Sequence, residues 1–193
     1  MTYELFIRLI APYHAVLVHF PVAIWTTVSL IVIYRALFDN ALSRAGDRIL
    51  VPLLALSIVA GIAAYTAGFI IFPVDATTAS PLIRNHLLAA SWSLAYWTVF
   101  LITRWLNGES VWVGAKRWIM LGLALLGTLL ITVTGTVGGH IAGNPSTVSV
   151  LLQWAGWDVY DTFYVPDVVL WAIAAGVVLL PLLGWWGSRQ RTA

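Results

Sequence analysis

Residues 13–34 read YHAVLVHFPVAIWTTVSLIVIY, an unbroken run without a charged side chain. A membrane span takes about 20 predominantly apolar residues, so this stretch reads as a helix crossing a bilayer. Two imidazoles inside it, His14 and His19, conflict with that solvent. An unpaired polar group in hydrocarbon costs several kcal/mol, and an ionisable side chain placed there is a functional-site candidate.

The rest of the chain agrees with the span. Of its 193 residues, 61% are hydrophobic and 9% charged, and the mean hydropathy is +0.90; soluble domains carry about 25% charged residues. The predicted class is all-α: an integral membrane helix bundle forming one domain over residues 1–193. Spans are expected at about 13–37, 50–72, 81–105, 118–139 and 168–186, a four-helix core plus one extra C-terminal span. Pro81 suits a first helical turn, and Pro73 closes the second span. Residues 144–167 are too polar and broken to cross. Their Trp154, Trp157, Tyr160, Phe163 and Tyr164 predict a segment lying in the outer interface. No internal repeat is evident.

Charge sets an expected orientation. Arg35, Arg44, Arg48, Arg104, Lys116, Arg117, Arg189 and Arg191 fall on one face, and only Arg8 and Arg84 on the other. The positive-inside rule makes the first face cytoplasmic. A bacterial inner (cytoplasmic) membrane location follows as an expectation, with the N-terminus periplasmic and the C-terminus cytoplasmic. The opening MTYELFIRLIAPYH has Glu4 and Arg8 and does not read as a cleavable signal. The first span is expected to serve as its own insertion signal.

Composition excludes several chemistries. Cysteine is absent, which removes disulfides, iron–sulfur clusters and thiolate metal sites. The basic residues are scattered and form no stripe, so nucleic acid is not an expected partner. No H-E-x-x-H or G-x-S-x-G motif supports hydrolysis.

The four histidines, His14, His19, His86 and His140, fall on three spans and all in the outer half. A helix rises 1.5 Å per residue, so His19 lies roughly 8 Å deeper than His14, and the two rings point about 140° apart. They do not converge on one ion. Depth counted from the expected span ends pairs His19 with His86 and His14 with His140, as axial ligands of haem iron. Pro21 releases the carbonyl of Leu17 beside His19. Gly135, Gly138 and Gly139 form a small-residue face that lets a backbone or a flat macrocycle approach, and Gly61 and Gly68 offer the same on the second span. Arg84 and Arg8 are candidates for pairing with haem propionates, since arginine binds carboxylates bidentately.

Three stretches carry a family resemblance. HAVLVHFPVAI, RNHLLAASWSLA and TVTGTVGGHIAG, within residues 11–143, resemble bacterial membrane proteins grouped as domain of unknown function 2231. The family start has His-Pro, whereas Ala15 follows His14 here. After Gly139 the chain reads HIAGNPSTVSV and departs from the family pattern, with a further span added. The resemblance implies a four-span core and a redox setting, since some members are fused to Rieske or sugar-dehydrogenase modules.

The leading expectation is therefore a b-type membrane cytochrome with one or two haems b. Its expected partners are the lipid bilayer, a periplasmic redox protein or dehydrogenase, and quinone or a larger membrane complex. It reads as an electron-transfer protein or oxidoreductase subunit rather than a self-standing enzyme. Two alternatives stand beside it. One is a histidine-based site for transition-metal binding or transport, since imidazole suits Zn, Cu, Fe and Ni. The other is a cofactor-free anchor subunit.

Overall fold

The computed structural model of the chain describes residues 3–72, Asp75, residues 79–161, Ala175 and Leu179. Among these residues every regular element is helical. Helix α1 covers Tyr3–Leu37, α2 Ala41–Arg48, α3 Leu50–Ile71 and α4 Pro81–Asn107. A 3₁₀ turn over Gly108–Trp112 leads to α5, Lys116–Ile141, and then α6, Val148–Trp154. Four segments, Tyr13–Leu37, Ala41–Ile71, Pro81–Trp112 and Lys116–Ile141, are long and apolar enough to cross a membrane. The expected fifth span over 168–186 lies outside the described residues, apart from helical Ala175 and Leu179.

Local chemistry accounts for the boundaries. Helix α1 carries Glu4 in its first turn and Arg35 in its last, each matched to the helix dipole. It starts ten residues before the expected Tyr13 and continues through Pro21. A capping box opens α2, with the Asn40 side chain accepting from the Ser43 N–H and the Ser43 hydroxyl accepting from the Asn40 N–H, which satisfies two otherwise orphaned donors. Pro81 stands in the first turn of α4. Gly108, at φ 52°, ends that helix, in a backbone region that disfavours a side chain. Helices α4 and α5 each run two residues past the predicted ends, so His140 is still helical.

The four long helices form a ring. Helix α1 packs on α3 and α5, and α4 packs on the same two, which leaves α1 and α4 on a diagonal. Inside the ring the Trp25 and Trp97 rings stack, with centroids 6.0 Å apart and planes 7° from parallel. Around them Val28, Val32, Leu50, Leu54 and Trp97 are fully buried. Offset aromatic stacking adds about 0.5–1.5 kcal/mol beyond the area removed from solvent.

Several buried positions recur along the chain. On α1 they include Pro21, Trp25, Val28 and Val32; on α4 they include Ser93, Trp97, Phe100 and Arg104, each 72 residues later. On α3 they include Leu50, Leu54, Ser57, Gly61 and Ala67; on α5 they include Met120, Ala124, Gly127, Ile131 and Val137, each 70 residues later. Of these matched positions only Trp25 and Trp97 carry the same residue, so the recurrence is mainly one of register.

The end carrying α2 is closed by ion pairs. Arg104 donates from Nε and Nη2 to Asp47 at 3.0 and 2.7 Å, and both side chains are under 10% exposed. Arg35 donates to Asp39 at 2.9 Å and lies over the Trp112 ring, 5.5 Å from its centroid.

Candidate functional site

At the opposite end of the ring two imidazoles are held in the same way. The Nδ1–H of His14 on α1 donates to the Ala64 carbonyl of α3 at 3.0 Å. The Nδ1–H of His86 on α4 donates to the Thr134 carbonyl of α5 at 3.2 Å. A carbonyl only accepts, so both rings carry their proton on Nδ1 and leave the lone pair of Nε2 available. This is the second contact that orients a metal-binding histidine and fixes its tautomer.

Each ring also rests on a glycine one turn beyond its acceptor. A Cβ placed on Gly68 would stand 3.0 Å from His14 Cε1, and one placed on Gly138 would stand 2.9 Å from His86 Cε1. Both rings are half-buried. The Trp25 and Trp97 rings stack across the diagonal deeper in the bundle, which puts His14 and His86 at the same end of it. Each Trp follows its histidine by eleven residues, about three helical turns, and therefore stands on the same helix face.

Around the rings and between them and the Trp pair, the buried side chains are Pro21, Ala64, Ala67, Ala89 and Ser93, with the larger Ile131 and Val137 contributed by α5. The Ser93 hydroxyl bonds that of Thr134 at 2.8 Å, so the polar atoms of this layer have partners within it. Asn85, beside His86, is buried.

The other expected ligands go elsewhere. His19 is exposed, and its Nδ1–H donates to the Ala15 carbonyl of its own helix. His140 bonds the Tyr160 hydroxyl at 2.7 Å through Nδ1 and meets that ring edge-on. Its role here is to hold the segment after α6 against the end of α5. Depth paired His19 with His86 because the first span was counted from Tyr13. With α1 beginning at Tyr3 and its register fixed by Trp25 on Trp97, His14 is the position that corresponds to His86.

Of the glycines on α5, only Gly138 meets a histidine. Gly139 faces the Asn144 carbonyl oxygen, 2.8 Å from a Cβ placed there, and Gly135 faces open space. Gly138 thus takes the His86 ring against its backbone, and none of the three glycines shows the macrocycle-facing role expected of them. Arg84 is an exposed residue of α4 two positions before His86. Arg8 belongs to α1, and its side chain is outside the described ones. In the expected interfacial segment, α6 exposes Val150, Leu151 and Trp154, and Phe163 and Tyr164 lie outside the described residues.

Among the described residues no three of His, Cys, Asp or Glu gather in a way that could hold a metal ion. Two imidazoles supply only two donors, so a metal between them takes its remaining ligands from something else. His14 and His86 would be the residues to hold a haem, which would supply one-electron chemistry. The sequence signal for this pairing was present but unread. HAVLVHFPVAIW, 14–25, and HLLAASWSLAYW, 86–97, have the same length and the same first and last residues. Comparison with known proteins finds no matching family model, no matching curated protein and no matching solved structure.

Proposed function

We propose that this multi-pass helical protein is a b-type membrane cytochrome that binds haem between His14 and His86. The observation that carries the reading is the matched pair of imidazoles, each with its Nδ1–H given to a carbonyl of the neighbouring helix and its Nε2 unengaged by any described residue. The small side chains of Ala64, Ala67 and Ala89 beside the rings suit a flat macrocycle. When bound, the haem would supply one-electron chemistry, with its potential set by the axial imidazoles and by burial.

The chain's own residues then do three things. His14 and His86 ligate, the Ala64 and Thr134 carbonyls hold the tautomers, and the Trp25–Trp97 pair closes the floor. Electrons pass at the histidine end to or from a redox partner, a periplasmic protein or dehydrogenase. On the membrane side the acceptor or donor is quinone or a partner subunit. The distribution of basic residues supports an inner-membrane orientation with this end facing the periplasm. Arg84, on the same helix as His86, suits pairing with a propionate. The resemblance to the domain of unknown function 2231 family is in keeping with a redox role.

A reduced-minus-oxidised absorption spectrum of protein purified in detergent tests the reading. A b-type Soret and α-band pair is expected. A protein expressed with ample haem that shows neither band would sink it.

A further inference from the structure

The His14 ring and the His86 ring are held by one device used twice. Each bonds a carbonyl on the next long helix and sits on the glycine four residues further along: Ala64 and Gly68 for His14, Thr134 and Gly138 for His86. The Trp25 and Trp97 rings repeat the relation deeper in the bundle. The benzo edge of Trp25 lies 3.4 Å from a Cβ placed on Gly61, and that of Trp97 lies 2.6 Å from one placed on Gly127. The hairpin α1–α3 and the hairpin α4–α5 thus present the same buried register. Helix α3 meets α1 at Ala64–His14 and Gly61–Trp25 and meets α4 at Tyr65–Ser91 and Gly61–Leu94, antiparallel to both, so α1 and α4 are parallel, the arrangement of two hairpins related by an axis along the bundle.

We infer that the chain is a duplicated helical hairpin that binds a single planar metal macrocycle across its pseudo-two-fold axis, with Gly68 and Gly138 setting the planes of the two imidazoles. The inference rests on the haem reading above and adds stoichiometry and two positioning residues to it. A single site follows because the duplication brings one histidine from each half to the axis. His19 corresponds to Ser91, and His140 to no histidine of the first hairpin. The glycines act through contact. A Cβ at Gly138 would fall inside the 3.0 Å that real Cβ atoms essentially never reach, and one at Gly68 stands at that limit. Each ring must therefore turn about its own bonds when its glycine becomes alanine.

The test is haem stoichiometry and electron paramagnetic resonance of the ferric protein, since the g anisotropy of a low-spin bis-imidazole haem follows the angle between the ring planes. The expected results are a single haem per chain and a changed g anisotropy in both Gly68→Ala and Gly138→Ala. Gly122→Ala, where an added Cβ meets nothing within 4 Å, should keep the wild-type spectrum. Two haems per chain, or an unchanged spectrum in both glycine variants, would overturn the inference.

A protein that binds no haem contradicts the functional reading. The ring arrangement is then decided in that same protein by nitrogen-15 NMR of the imidazoles. Both rings in the Nδ1–H form, each shifted by the alanine at its own glycine, uphold the paired site; either ring in the other tautomer overturns it. Wild-type stoichiometry and tautomers answer the question even where an alanine variant fails to fold.

Discussion

At the α2 end of the bundle the core is built from large side chains: Trp97, Leu50, Leu54, Val28 and Val32 are buried to the last few per cent of their surface. At the histidine end the same helices bury Ala64, Ala67 and Ala89 beside Asn85, Thr136 and Val137, and leave two imidazoles half-covered. Large interlocking residues fix helix positions and contribute about 1.5–3 kcal/mol each when fully buried. Small ones contribute less and leave backbones close to whatever occupies the axis. One half of the molecule is thus organised to hold the helices in register, and the other carries the two imidazoles of the proposed site at the same level on α1 and α4. The comparison can be broken by mutating either end and asking whether the effect stays there.

The largest stability effect is expected at the Asp47–Arg104 pair. Both oxygens of Asp47 are engaged, and removing one partner of a buried pair leaves an uncompensated charge at a cost of about 3–5 kcal/mol. Asp47→Ala should lower the SDS mole fraction at the unfolding midpoint more than any single change at the histidine end. Its haem content, in whatever fraction stays folded, should be unchanged.

Overpacking the Trp floor comes next. A Cβ on Gly127 would lie 2.6 Å from Trp97 Cζ2 and 2.9 Å from Tyr96 Cε1, and both rings are packed. Gly127→Ala should cost about 1–3 kcal/mol, the usual penalty for forcing extra volume into a full core. Gly122→Ala on the same helix should cost nothing measurable. Equal midpoints for the two variants would mean that the Trp97 layer yields.

At the histidine end the order of effects reverses. His86→Ala removes one hydrogen bond, worth about 1 kcal/mol, so the variant should unfold close to the denaturant midpoint of the wild-type protein prepared without haem, any larger gap to the haem-loaded protein being the lost ligand. A loss as large as that of Asp47→Ala would show that the imidazole is a structural element first.

The smallest effect belongs to Asp39, an exposed carboxylate just past α1. The hydrogen bond from Arg44, with Arg35 adding charge, holds its carboxyl below the ordinary 3.8. A depressed folded-state value stabilises the fold above the ordinary value, and that contribution is lost as pH falls through the lower folded one. Asp39→Asn should therefore shift the thermal midpoint slightly at neutral pH. The shift should vanish once the pH is below the wild-type carboxyl's titration. A constant shift across both conditions would assign it to the asparagine side chain instead.

Much of this architecture was legible in the sequence. The four long helices follow from apolar length, and Pro81 and Gly108 mark the limits of α4. The histidines stand out because hydrocarbon makes an imidazole expensive. What was not legible was register. Counting depth from Tyr13 assumed that a helix begins where its apolar run begins, yet α1 carries Glu4 and Arg8 in its own first turns and starts at Tyr3. The level of His14 against His86 is set by the stacking of Trp25 on Trp97, a tertiary contact that no periodicity reports. The ion pair between Asp47 and Arg104 was hidden for the same reason, because its partners are 57 residues apart. The recurrence of buried positions is faint in the sequence because few residues repeat with it: His14 and His86, and Trp25 and Trp97, are identical, but Gly61 corresponds to Ile131 and Leu54 to Ala124.

The central claim is that His14 and His86 form one site and that His19 and His140 stand outside it. The most direct test is the haem-to-protein ratio, by pyridine haemochrome, of the purified protein and its four single histidine-to-alanine variants. The account predicts that His14→Ala and His86→Ala each abolish the same bis-imidazole species, while His19→Ala and His140→Ala keep the wild-type ratio. Loss of haem in His19→Ala with retention in His14→Ala would contradict it.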